Sequence, residues 1–184
     1  TILGTLTAYA LTNFRLKWES AIQLLAYFPM GISSLIIGIA LLLYFHLIGL
    51  SLGYLSVIVA HTVQAFPFSV LIMIISFLGI KKSLIEASLD LGATKLSTFR
   101  RVIFPLIAPG VVVSLLISFT ISFDEIIATY FVIGGGLVTM PVYIMNQLEF
   151  GISPELSALN TLVLIMSSLI VTVSIWLRGR FLNS

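Results

Sequence analysis

The sequence predicts an all-α polytopic membrane protein, on three observations. First, 59% of its 184 residues are hydrophobic and 9% are charged, with a mean hydropathy of +1.19. A soluble domain carries about 25% charged residues, so nine Lys/Arg and seven Asp/Glu are too few to coat a soluble surface of this size. Second, those charges cluster and leave 20–80, 102–123, 126–148 and 156–177 free of Asp, Glu, Lys and Arg. Third, the gaps lack the strict alternation of a barrel strand. Since backbone groups in lipid must be bonded internally, they read as helices. The same composition excludes a water-soluble enzyme and a disordered chain. A net charge of +2 offers no basic surface for nucleic acid. With no cysteine, there is no disulfide framework or thiolate metal site.

A spanning helix needs about 20 apolar residues. Residues 1–14 are apolar but short, and Thr1 is not a start methionine. They read as the tail of a helix that begins upstream. The gap at 20–80 suits two spans, 24–48 and 54–80, joined at the glycine-bounded turn 49–53. Two more follow at 102–123 and 156–177. Pro29 falls near a span start, where proline costs little. Pro67 is expected to kink its helix, and neighbouring helices to satisfy the freed carbonyl. Gly31, Ser33, Ser34 and Gly38 on one helix, and Ser114 and Ser118 on another, favour close helix packing.

All basic residues fall at 15–17, 81–101 and 178–180. Placed in the cytoplasm, they give an outward crossing at 24–48, a return at 54–80, an outward crossing at 102–123 and a return at 156–177. Residues 126–148 then make no full crossing. Gly134, Gly135, Gly136 and Pro141 interrupt that stretch, as in a re-entrant or interfacial element.

The segment from Lys81 to Pro105 reads KKSLIEASLDLGATKLSTFRRVIFP. Ser83 and Glu86 have capping-box spacing and are expected to start a helix. Glu86 and Asp90 lie one turn apart, near its positive end. Leu84, Ala87 and Leu91 form an apolar face. Gly92 is the expected stop, because glycine takes a left-handed cap cheaply. A second helix is expected from Ser97 or Thr98, with Pro105 bending or starting the span. An ordinary charged loop between two spans has the same periodicity.

Residue identity distinguishes them. This stretch resembles the signature loop of permease subunits of bacterial ATP-driven (ABC) importers: E-A-A, three residues, G, nine residues, then I-x-L-P. Glu86, Ala87 and Ser88 fill the first places, Gly92 the fourth, and Val102, Ile103, Phe104 and Pro105 the last. Ser88, Val102 and Phe104 depart from the pattern. The stretches 89–96, 121–132 and 140–163 are similar to the spermidine/putrescine branch, in particular its C-type permease. Iron, thiamine and phosphonate permeases share much of the pattern.

The resemblance implies a MetI-like permease bundle forming one domain over 1–184. Four spans and the end of another are present where the family has six. It implies a cytoplasmic coupling loop at 81–101, with Glu86, Ala87, Ser88, Asp90, Leu91, Gly92 and Ala93 docking on an ATPase groove. The implied partners are two copies of an ATP-binding subunit, a sister permease, an extracytoplasmic solute-binding protein and the bilayer of a bacterial inner membrane. No cofactor belongs to the chain, since ATP and Mg²⁺ are held by the ATPase. No Gly-rich loop ending in Lys-Ser/Thr is present to cradle phosphates.

Asp124 and Glu125 end a span, and an acidic pair near the outer mouth suits a polyammonium solute; the alternative is a solvated or helix-capping pair. Of the two, Asp124 is the stronger candidate. Tyr143 and Asn146, with Gln147, line a polar path, contact the binding protein, or bond between helices. Glu149 and Glu155 read as outer-loop charges and His46 as interfacial. His61 and Gln64 read first as interhelical hydrogen-bond partners. A stand-alone channel or secondary transporter is disfavoured, because internal repeats and ion-coupling charges are missing. An intramembrane enzyme would need a nucleophile elbow or an HExxH motif, and the chain has neither.

Overall fold

In the computed structural model the described residues are helical, with no strand among them. The structure describes the backbone of 1–14, 17–148 and 154–182, without the side chains of 148, 154–156, 159–160 and 174–182. The helices are α1 (Ile2–Asn13), α2 (Glu19–Tyr27), α3 (Ser34–Leu47), α4 (Tyr54–Leu78) and α5 (Lys82–Asp90). They continue with α6 (Lys95–Thr98), α7 (Phe104–Phe123), α8 (Ile127–Val132), α9 (Met140–Leu148) and α10 (Pro154–Leu182). Arg15 and Glu149 lie outside the described residues, as do the side chains of Glu155, Arg178 and Arg180.

Helix α4 is the centre, packed by α1, α3, α7 and α8. Its 25 residues rise about 37 Å at 1.5 Å each, enough to cross a bilayer core. Pro67 sits inside it, fully buried. Met73 and Phe77 of α4 form one apolar cluster with Ala8, Ile103 and Ile107. Val57 and Ala60 form a second with Phe45 and Val132, and Val70 a third with Leu11 and Ala26. Much of the outward surface is apolar, Leu43, Leu47 and Ile58 included. That is the ordinary condition of a helix facing lipid.

Small residues set the close approaches. A Cβ on Gly38 would come within 2.9 Å of Ala128 Cα, so α3 and α8 meet backbone to backbone there. Buried Ser69 and Ser114 bond across α4 and α7 at 2.8 Å. Gly31, expected to share in such packing, has open space beside it.

The expected span at 24–48 is broken. Helices α2 and α3 meet at 111°. Between them Phe28–Gly31 forms a 3-10 turn holding Pro29. Pro29 thus ends a helix rather than opening a span. Having no N–H, it cannot extend the α2 ladder, and Ser33 Oγ accepts the Ile36 N–H at 3.5 Å to restart the chain. The turn at 49–53 forms as expected, with Gly49 at φ +70°. Its other end is tied by Ser56, whose hydroxyl bonds to the Val132 carbonyl at 2.7 Å.

The predicted span at 102–123 holds with a shifted start, and within the predicted span at 156–177 the apolar stretch among the described residues is Thr161–Val173. Lys95–Phe123 is one 29-residue apolar rod, counting a π turn at Phe99–Ile103. Pro105 explains that turn, because it gives no N–H to the carbonyl of Arg101 and the ladder widens by one residue ahead of it. Helix α10 covers 154–182. Between α7 and α10 the chain makes only the short helices α8 and α9, interrupted at the glycine run 134–136.

Candidate coupling element and intramembrane polar site

Two places in the fold carry chemistry. The first is the elbow formed by α5, the 91–94 link and α6. Helix α5 starts two residues earlier than expected, with Lys81 at its N-cap and no side-chain cap. The Ser83–Glu86 capping box is therefore not formed. Ser83 already lies inside the first turn, where its own backbone is helical. Glu86 is mid-helix and Asp90 is the last residue, so neither sits at the positive end.

The stop is as expected. Gly92 has φ +83°. Its N–H bonds to the Leu89 carbonyl at 2.9 Å, and the Ala93 N–H to the Ser88 carbonyl at 3.1 Å. This pair of bonds is the Schellman closure, which needs a left-handed residue at that place. Thr94 then caps α6 by accepting the Ser97 N–H at 3.2 Å, so the second helix begins at Lys95 rather than at Ser97 or Thr98.

The elbow has an inner and an outer side. On the inner side Ile85 and Phe99 pack against the Met73–Phe77–Ile103 cluster. Ser88 bonds to buried Thr98 at 3.0 Å. The serine that departs from the family pattern is thus the strut between the two helices. On the outer side Leu84, Leu89, Leu91 and Leu96 are exposed, Leu91 at 89%. Glu86, Ala87 and Asp90 are exposed with them, while Ala93 is half-buried.

The second place is polar and internal. Glu125 follows the end of α7 and is 9% exposed. Its Oε1 accepts the Ala128 N–H at 2.8 Å, which tops α8. Its Oε2 lies 3.1 Å from Ser34 Oγ, and Ser34 Oγ lies 2.9 Å from Gln64 Oε1. A hydroxyl has one proton, so Ser34 donates to only one of them. Turning the Gln64 amide end for end lets its NH₂ serve Ser34 and frees the Ser34 proton for Glu125.

Beside this, His61 bridges Ser122 and Thr129, each at 2.7 Å. The Thr129 hydroxyl donates to the Glu125 carbonyl at 2.7 Å, so it must accept from His61. That fixes the Nε2–H tautomer, and Ser122 donates to Nδ1.

Depth follows from the rise of α4. Gln64 is ten residues past Tyr54, about 15 Å from the outer end, which is the middle of a core about 30 Å thick. The sequence sets Asp124 and Glu125 at the outer mouth. Glu125 lies level with Gln64 along α4, because α7 stops short and α8 climbs the remaining distance to the 49–53 turn, where Val132 meets Ser56. Residues 139–141 come back down beside Glu125. Together with His61, Phe119, Ser122, Phe123 and Glu125 they line a cavity of about 210 Å³.

Asp124 is exposed and lines a different, smaller cavity with Ile126, Ile144 and Val163. Tyr143 and Asn146 are exposed on α9 and do not reach the Glu125 group; the Tyr143 hydroxyl accepts from Gln147 at 2.9 Å. Ser34, Ser122 and Thr129 carried no polar-site signal in sequence. They are separated by up to 95 positions and join only because α3, α4, α7 and α8 converge.

A buried carboxylate within a helical bundle and an exposed apolar elbow at one of its ends suit a transport subunit, and the comparisons say which kind. Residues 1–181 match the family of binding-protein-dependent transport system inner membrane components. The chain belongs to that family. It is 33% identical to the spermidine/putrescine transport system permease protein PotC of Haemophilus influenzae, over 95% of this chain and 68% of the relative. It is 30% identical to the putrescine transport system permease protein PotI of Escherichia coli, over 97% and 66%. The chain thus spans about two thirds of the length of these relatives. The fold matches a chain of the MetNI methionine ABC transporter in an inward-facing form, with TM-score 0.73, 22% identity and coverage of 97% and 84%. The expected MetI-like, all-α membrane fold and the inner-membrane location are therefore both met.

Proposed function

We infer that this chain is half of the translocation pathway of an ATP-driven polyamine importer. The observation that carries the coupling part is the two-sided elbow at 82–98. Its inner side is fixed to the bundle by Ile85, Ser88 and Thr98, and on its outer side Leu91 and Leu96 are 89% and 76% exposed. A short helix that is rigid behind and apolar in front is suited to a groove on another protein. Glu86, Ala87, Asp90, Leu91 and Gly92 form that contact, with Ser88 and Ala93 supporting it from behind. The partner is the ATP-binding subunit, present in two copies, which holds ATP and Mg²⁺ and performs the hydrolysis. A sister permease completes the pathway, and an extracytoplasmic binding protein delivers the solute. The polyamine reading is supported by relatives named for spermidine and putrescine at 33% and 30% identity.

ATPase activity of the reconstituted complex tests both parts. Full-length permeases, ATPase and binding protein are assayed with spermidine, putrescine, ferric iron and thiamine in turn, with Gly92→Leu as the loop variant. A side chain at φ +83° costs roughly 1–2 kcal/mol and opens the Schellman closure. Polyamine-stimulated hydrolysis that drops about tenfold in the variant is the expected result. Stimulation by iron or thiamine alone removes the polyamine assignment and leaves the importer. Hydrolysis untouched by Gly92→Leu removes the coupling assignment.

A further inference from the structure

We propose that the Glu125 cavity is a binding subsite for one primary ammonium group of the transported solute, with Glu125 as its counter-charge and the paired rings of Phe119 and Phe123 as its wall. The inference deepens the polyamine reading and rests on it.

Four observations converge. Glu125 is nine-tenths buried near the midplane, and no ion pair is formed by it among the described residues. A buried ionised carboxylate with no cation is costly. Such a residue in a span is a functional site by default. Its two known contacts, from Ala128 N–H and Ser34 Oγ, leave acceptor capacity on a group with about four lone-pair sites. It also lines a cavity of about 210 Å³. One water takes about 30 Å³ of liquid, so there is room for an ammonium and several methylenes. Phe119 and Phe123, which line the same cavity, stack at 5.6 Å and 22°. A ring pair and a carboxylate together bind an alkylammonium by cation–π, apolar and charge-assisted contacts. Finally, Thr139 Oγ1 is buried without a partner, and Thr139 lines the cavity too. An N–H of an occupant would satisfy it.

The surrounding polar groups are positioning residues. Ser34 and Gln64 hold Glu125 from the α3 and α4 side. His61 holds Ser122 and Thr129, which fixes the backbone carbonyl of Glu125. None of these brings a fixed positive charge, so the carboxylate stays available to a cation that arrives.

The test uses the complete complex of full-length permeases and ATPase. Spermidine binding is measured by equilibrium dialysis without the binding protein, and spermidine uptake into proteoliposomes with it. Glu125→Gln keeps the shape and removes the charge. It is expected to weaken binding and slow saturated uptake at least about tenfold, while Glu125→Asp restores part of both. If Glu125→Gln does not assemble, Thr139→Lys takes its place. A tethered ammonium beside Glu125 should abolish spermidine binding. Glu125→Gln or Thr139→Lys binding and transporting as wild type overturns the subsite and leaves the polyamine reading intact. A wild-type complex that takes up no polyamine while its ATPase still responds to another solute overturns both.

Discussion

The elbow at 82–98 and the polar group around Glu125 are built on opposite plans. The elbow spends few of its side chains on the rest of the chain: no residue of α5 is buried, and Leu91 and Leu96 are 89% and 76% exposed. The polar group is closed on itself, with His61, Ser122, Thr129, Glu125, Ser34 and Gln64 linked through contacts of 2.7–3.1 Å. A surface left unsatisfied by its own chain is completed by another protein. A polar group satisfied within a bundle contributes to the bundle's stability and leaves free only what a small ligand needs. Substitutions should therefore separate: changes at the polar group alter folding and transport together, and changes on the outer elbow alter assembly alone.

The largest effect on stability is expected at His61. Replacing it with Leu strips a partner from Ser122 and from Thr129 at once, and Thr129 is fully buried. Thr129 keeps its bond to the Glu125 carbonyl but loses its buried donor, and half-buried Ser122 loses its acceptor, at a cost of about 1–3 kcal/mol together. Thermal unfolding of the purified permease should shift down by several degrees, while ATPase binding by the folded fraction stays normal. An unchanged melting temperature would mean that the polar group adds nothing to the bundle and would break the contrast.

The strut between the elbow helices sits between the two plans. Ser88→Ala matches the family pattern better and removes the 3.0 Å bond to Thr98. Thr98 is 2% exposed, so its hydroxyl must find a new partner, and the cost is about 1 kcal/mol. Hydrogen exchange should quicken in 82–98 and nowhere else. Exchange that is unaffected there would show Ile85 alone holding the elbow to the bundle.

The two regions also differ in how far they could be read from residues. The elbow is local: Gly92 marks its stop, and its pattern is continuous over 86–105. Its two helix starts differ from the expected ones, because the Ser83–Glu86 spacing matches a cap whether or not the chain enters the helix earlier, and Thr94 caps the second helix ahead of Ser97. The polar group is non-local. Ser34 and Glu125 are 91 positions apart, and nothing in the spacing of either points to the other. The same lack of long-range information leaves Asp124 and Glu125 looking alike in the sequence, although one is exposed and the other buried. A charge-free run gives the length of a crossing but not where α7 stops within it. It also hid the 111° break at Pro29, since a run without charges looks the same whether straight or bent.

The smallest effect on the isolated permease, and the sharpest separation, is expected at Leu91. It is 89% exposed, just before the Gly92 closure, and its backbone N–H bonds to the Ala87 carbonyl at 3.1 Å whatever the side chain is. Leu91→Ser should change unfolding by no more than about 0.5 kcal/mol, the usual range for an exposed position. In a groove on the ATPase, however, the same leucine would bury most of its side chain, and losing it would cost about 1.5–3 kcal/mol of association. That corresponds to about a tenfold or greater loss of affinity between permease and ATPase, read by titrating the purified subunits. A Leu91→Ser permease that binds its ATPase as tightly as the wild type would place the docking contact on another part of the elbow. Leu84 would be the next residue to change, because it is exposed on the same helix and has no contact within the buried clusters.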